Sequence, residues 1–257
     1  MNMKKSLLAG VILSAACAGA NAGVINVGGV QWNTDSFFDF TSNSNLIEDQ
    51  LDISNGVDEL KGFGLVTNIN GTGEAVFCPG GCELTYVFGD FTATYFGVNS
   101  GGETIIGFTG GYIDFYVDSA TAYNPDAQAT AADGDLWLRL EAHDVFNAEF
   151  GANVSLFATL TSFGVGTDTG DGDGLMDVAG GLAALNFYTD TQSDGADFVF
   201  SSSFQPFPNG GAQSDGYELF GTADIRGNST AVPEPSSLAL LGLGLIAVAG
   251  GVRKRKA

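Results

Sequence analysis

Apolar and polar residues alternate with a period of two in several runs between residues 23 and 231, the pattern of strands that bury one face. In 112–118, Ile113, Phe115 and Val117 share one face, and Tyr112, Asp114, Tyr116 and Asp118 the other. In 135–143, Leu136, Leu138, Leu140 and Ala142 point inward, while Asp135, Trp137, Arg139, Glu141 and His143 point outward. Val154, Leu156, Ala158 and Leu160 alternate with Ser155, Phe157, Thr159 and Thr161. Phe198, Phe200, Ser202 and Phe204 alternate with Val199, Ser201 and Ser203. Further strands are expected over 24–33, 59–69, 83–98, 104–110, 182–189 and 217–226. No stretch holds a helical period with caps, and Gly, Asn and Asp clusters punctuate the runs. About ten strands with one buried face each predict an all-β fold: a single β-sandwich, in one form jelly-roll-like, with a closed barrel as the alternative. No linker interrupts this segment, so 23–231 is expected to be one domain.

The two ends follow other rules. Lys4 and Lys5 precede a short apolar run, Leu7 to Ala16, and Ala20-Asn21-Ala22 is a small-x-small cleavage site. Residues 1–22 therefore read as a signal peptide, with the mature chain starting at Gly23. A lipidated Cys17 is the rival, but Leu13 stands one position too early for it. At the other end, Val232-Pro233-Glu234-Pro235 and two serines precede an apolar stretch of 15 residues, Leu238 to Val252. Arg253-Lys254-Arg255-Lys256 follows. A helix over 238–252 is short for a bilayer, but snorkelling of its basic end and local thinning make a transmembrane span workable. The basic cluster predicts a cytoplasmic end, which leaves the middle of the chain outside the cytoplasmic membrane.

This order of parts over 232–257 closely resembles the PEP-CTERM sorting signal of Gram-negative bacteria. The resemblance implies a partner, exosortase, a membrane protease-transpeptidase that removes the tail near Pro233-Glu234-Pro235. It implies transient anchoring in the cytoplasmic (inner) membrane, then a cell-surface or extracellular-matrix location. Proteins of that family often accompany exopolysaccharide, biofilm and floc formation, so an exopolysaccharide matrix is the second implied partner. Residues 194–206 and 83–89 also resemble ectodomains of flocculation-associated members.

Charge narrows the rest. The chain has 30 acidic and nine basic residues, for a net charge of −21. Between Gly23 and Ala231 only Lys61, Arg139 and Arg226 oppose 29 acids, a net of −26. Such a surface repels phosphate backbones, which excludes nucleic acid as a partner. Its Phe, Tyr, Val, Ile and Leu content still supports a packed core.

Candidate chemistry is sparse. Cys78-Pro79-Gly80-Gly81-Cys82 contains the only two cysteines after the signal peptide. In an exported chain the pair predicts a structural disulfide; zinc would need more ligands than these and one His supply. Asp168, Asp171, Asp173 and Asp177 lie among glycines and have two readings: a Ca²⁺ site, or an acidic loop between strands. An EF-hand alignment on Gly174 fails at Thr169 and Gly180. Ca²⁺ is the one cofactor suggested, and none is required. His143 is the only histidine, on an outward strand face, and no carboxylate pair is singled out, so no enzyme is expected. Trp32, Trp137, Tyr95, Tyr112, Tyr116 and Tyr188 are candidates for stacking on sugars. Trp137 is the best single ligand-binding candidate among them because it shares a face with Arg139 and Glu141, but packing in a second buried face is the favoured reading. The expected function is an exported surface or matrix protein associated with exopolysaccharide. A Ca²⁺-dependent carbohydrate-binding module and, further off, a polysaccharide-active enzyme are the alternatives.

Overall fold

Period-two runs separated by turn residues give antiparallel neighbours, and in the computed structural model they join end to end. It describes residues 23–37, 39–51, 59–164, 166–208, 211–212 and 215–232. The signal peptide 1–22, the motif Pro233, Glu234 and Pro235, the expected helix 238–252 and the basic end lie outside the described residues. Among the described residues no helix is long and apolar enough to cross a membrane.

The strands are β1 (Val24–Val27), β2 (Val30–Asn33), β3 (Phe40–Glu48), β4 (Glu59–Ile69), β5 (Thr72–Gly73), β6 (Glu83–Val98), β7 (Thr104–Thr109) and β8 (Tyr112–Asp118). Then come β9 (Asp135–His143), β10 (Val145–Asn147), β11 (Ala152–Val154), β12 (Leu156–Ser162), β13 (Thr169–Gly180), β14 (Phe198–Pro206) and β15 (Leu219–Gly227). Two short helices, α1 (Glu74–Phe77) and α2 (Ala184–Phe187), lie between them. β6 pairs with β8 along its first half and with β7 along its second. β13 likewise pairs with β12 and then with β9. β7 and β8 thus act as one broken strand, as do β9 and β12. With β3, β4, β6, β13, β14 and β15 they form eight strand positions in chain order, and the β15–β3 ladder closes the ring.

The result is an up-and-down barrel, and the sandwich expectation gives way to the closed alternative. A jelly roll needs strands that cross between sheets; here each strand position pairs with its chain neighbours, and closure removes the open edges a sandwich would leave.

The barrel is filled rather than hollow. Gly170, Gly172 and Gly174 line the inner side of β13, where a Cβ at Gly172 would sit 2.9 Å from Ser202 Oγ and one at Gly174 2.8 Å from Ser155 O. From β6, Tyr86 crosses β4 and donates its hydroxyl to Asn45 O at 2.7 Å. At the lower end, where β3 and β14 begin, Trp32, Phe40, Trp137, Phe187 and Phe198 form a buried aromatic plug. Trp32 stacks on Phe187 at 5.1 Å, and Phe40 meets Phe187 edge-on at 4.9 Å. The β1–β2 hairpin, α1 and α2 cover this end.

The strand expected over 182–189 is a turn and α2 instead. Gly181, at φ +101°, breaks β13, and the buried Asp197 carboxylate accepts backbone N–H groups from Val178, Thr189 and Asp190 at 2.6–2.9 Å. Those bonds fold 181–197 back onto the barrel.

Candidate functional site

The acidic-glycine segment is neither a cage nor a loop. Residues 169–180 form β13, with the glycines inward and Asp171, Asp173 and Asp177 outward. Asp171 and Asp173 are neighbours on the outward face, and Asp177 stands two face positions further along. Asp168 is turned away from them, only 2% exposed, and accepts from Gly164 N at 2.7 Å. Asp177 meets His143, Nδ1 to Oδ2 2.8 Å. The structure does not bring the four aspartates together, and no group of three or more metal-binding side chains gathers among the described residues.

Trp137 follows the packing reading and not the ligand-binding one. The β8–β9 register passes from Phe115–Leu138 to Tyr116–Leu136, leaving Trp137 as the extra residue of a bulge in β9. A bulge re-aims a side chain, and this one turns the indole into the plug, where it is 0% exposed and donates Nε1–H to Val27 O at 3.0 Å. No face of the ring is open to a sugar. Trp32 is buried beside it. Tyr112 carries Arg139 over its ring at 4.9 Å, and Tyr188 is half exposed. Cys78 and Cys82 form the expected disulfide, with Cα atoms 5.2 Å apart, directly after α1.

The open chemistry lies on the outer face of β12–β15. Phe157, Asp173 and Ser201 sit side by side in one row, and Thr159, Asp171, Ser203 and Thr222 in the next. Two troughs share this face. One, of about 270 Å³, is lined by Phe146, Phe157, Asp173 and Leu175. The other, of about 260 Å³, is lined by Thr161, Asp171, Ser203, Gln205 and Phe220. Phe146 projects from the β10–β11 hairpin and is 64% exposed. Phe157 is backed by Phe150 at 5.9 Å, and Phe150 by Tyr95 at 5.6 Å. Phe220 stacks on Phe207 at 4.9 Å. Partial burial, then the neighbouring Asp171, pushes the Asp173 carboxyl above its usual range. Each trough thus pairs an aromatic surface with carboxylate, hydroxyl or amide groups, the combination that suits a ring apolar on its faces and polar at its rim. The sequence pointed to tryptophans; the exposed rings here are phenylalanines, and Phe146 carried no signal beyond its type.

The upper end holds two buried acids that the sequence did not single out as a pair. Glu48 (4% exposed) and Asp168 line a cavity of about 20 Å³ with Leu60, Phe108, Leu160 and Leu219. Burial, followed by the charges of Asp168 and Asp49, pushes Glu48 up to about 8. Burial also raises Asp168, against the bonds from Gly164 and Gln50.

After β15 the chain is tied to the lower end. Ser229 Oγ accepts from Trp32 Nε1 at 2.9 Å and donates to Asp39 at 2.7 Å, and Ser229 N donates to Asp39 at 2.5 Å. Thr230 N donates to Asn186 O, and Asn186 Nδ2 donates to Thr230 O, each at 2.8 Å. Immediately beyond, residues 231–256 match the family of the PEP-CTERM protein-sorting motif. No curated protein and no solved structure matches the chain.

Proposed function

We propose that this chain, an exported protein carrying the PEP-CTERM sorting motif of exosortase substrates, is a structural or adhesive component of the cell surface or extracellular matrix. It binds exopolysaccharide without turning it over. Before exosortase processing it is anchored in the membrane by its C-terminus. The observation that carries the polysaccharide reading is the outer face of β12–β15, where two troughs in adjacent rows set Phe146, Phe157 and Phe220 beside Asp171, Asp173 and Ser203. The ligand is a chain of uncharged hexopyranoses. Its ring faces lie on the phenylalanines and its hydroxyls donate to the carboxylates. An ectodomain with a net charge of −26 disfavours a polyanionic polymer.

Affinity electrophoresis of the protein released by cells tests this. Migration should slow in gels containing a neutral glucan and stay unchanged in gels containing alginate. Phe146→Ala, at an exposed hairpin position, should cost roughly tenfold in affinity, the worth of one well-placed stacking contact. Equal retardation by alginate, or none by any neutral polymer, rejects the reading.

A further inference from the structure

Residues 228–232 lie between a closed barrel and a segment that a membrane enzyme must grip. We propose that Ser229 and Thr230 form a strap that withholds the approach to the sorting motif, so that the folded barrel slows exosortase processing until the strap opens. This goes beyond the matrix reading and does not depend on any polysaccharide.

Five hydrogen bonds hold the strap, and they come from three separate places in the fold. Asp39 stands at the start of β3 and takes both the backbone N–H and the hydroxyl of Ser229. Trp32, part of the aromatic plug, donates to the same hydroxyl. Asn186 in α2 is 6% exposed and engages both the N–H and the carbonyl of Thr230. Enzymes that grip an extended peptide do so largely through its main-chain N–H and C=O groups. At Thr230 both are already engaged.

Only Ala231 and Val232 separate the strap from Pro233. Three residues from Thr230 to Pro233 span at most about 10–11 Å. Eight residues from Thr230 to Leu238 reach at most about 26–29 Å. The tie at Thr230 therefore keeps the lower end of the barrel within that reach of the motif and, while the tail is anchored, of the membrane. A strapped chain leaves little room for an enzyme cleft upstream of the motif; opening the strap frees further residues.

The test follows processing of the full chain in its own cells, by pulse-chase with intact mass as the readout. Inserting Gly-Ser-Gly-Ser between Thr230 and Ala231 leaves the strap bonds and residues 231–256 untouched but adds slack. Processing should then speed up. Ser229→Ala, which removes the bonds through the hydroxyl, should speed it roughly fivefold, about what losing one net hydrogen bond would bring. The same insertion between Gly227 and Asn228, ahead of the strap, should leave the rate unchanged. Thermal unfolding of the released proteins separates this from a loosened barrel, since the insertion after Thr230 should not move the melting temperature. Unchanged rates for the insertion after Thr230, or slower processing, overturn the proposal; slower processing would mean that the strap presents the motif.

Discussion

The two ends of the barrel are closed by opposite chemistry. The lower end is shut by Trp32, Phe40, Trp137, Phe187 and Phe198, rings packed edge-on and stacked beneath a disulfide-pinned turn. The upper end narrows onto a small cavity in which two carboxyl groups face leucines and phenylalanines. The lower closure rests on apolar burial, with the Asp39 and Asp197 carboxylates hydrogen-bonded to backbone around it. The upper one depends on which of its acids hold a proton. The C-terminal strap is carried by the end that the rings close.

The largest expected effect comes from breaking the lower end. Trp137→Ala empties a fully buried site and should cost about 4 kcal/mol. Because the rings themselves do not titrate, the loss measured by denaturant unfolding should change little between about pH 5 and about pH 9. A loss that varies with pH would blur the contrast between the ends.

The upper end should respond to pH itself. Glu48 titrates near 4.5 when unfolded and at about 8 when folded. Below the lower value both states are protonated and the stabilising contribution is complete. Between the two only the folded state keeps the proton, so stability falls as pH rises, and the fall is complete once pH passes the folded value. The raised carboxyl of Asp168 acts in the same direction. Between about pH 5 and about pH 9 the wild-type protein should lose a few kcal/mol, and Glu48→Gln should remove most of that slope. An unchanged slope in the variant would mean that Glu48 is not the group responsible.

The smallest effect belongs to the disulfide. Its cysteines are four positions apart, and closing so short a loop restrains the unfolded chain little. Cys78→Ser with Cys82→Ser should cost about 2 kcal/mol. A larger loss would mean that the bridge supports the aromatic plug directly, by holding α1 and the β1–β2 hairpin over it.

Much of the barrel wall was legible before any coordinates. The strands over 59–69 and 83–98 were read to the residue, because each has a clear apolar face or a long β-former run bounded by turn residues. β3 was missed because its inward positions include Ser42, Ser44 and Glu48, polar groups buried only because the barrel closes over them. β13 was missed because Asp-Gly repeats are turn signals locally, although the same repeat has the strand period. The candidate site shows the same division. The disulfide follows from type, spacing and export. The fate of Trp137 depended on one extra residue in the register between β8 and β9.

The sequence alone determined that the chain is exported, that its tail is a sorting signal, that its body is acidic and β-rich, and that its two cysteines pair. Those conclusions rest on composition and on contiguous residues, which need no partner elsewhere in the chain. Only the tertiary structure decided that β15 returns to β3, that Glu48 meets Asp168, and that Ser229 meets Asp39 and Trp32. It also decided which aromatics face water. Each of these depends on residues far apart in the chain, brought together by closure and register, and a one-residue shift in pairing is enough to turn a side chain from the surface to the core.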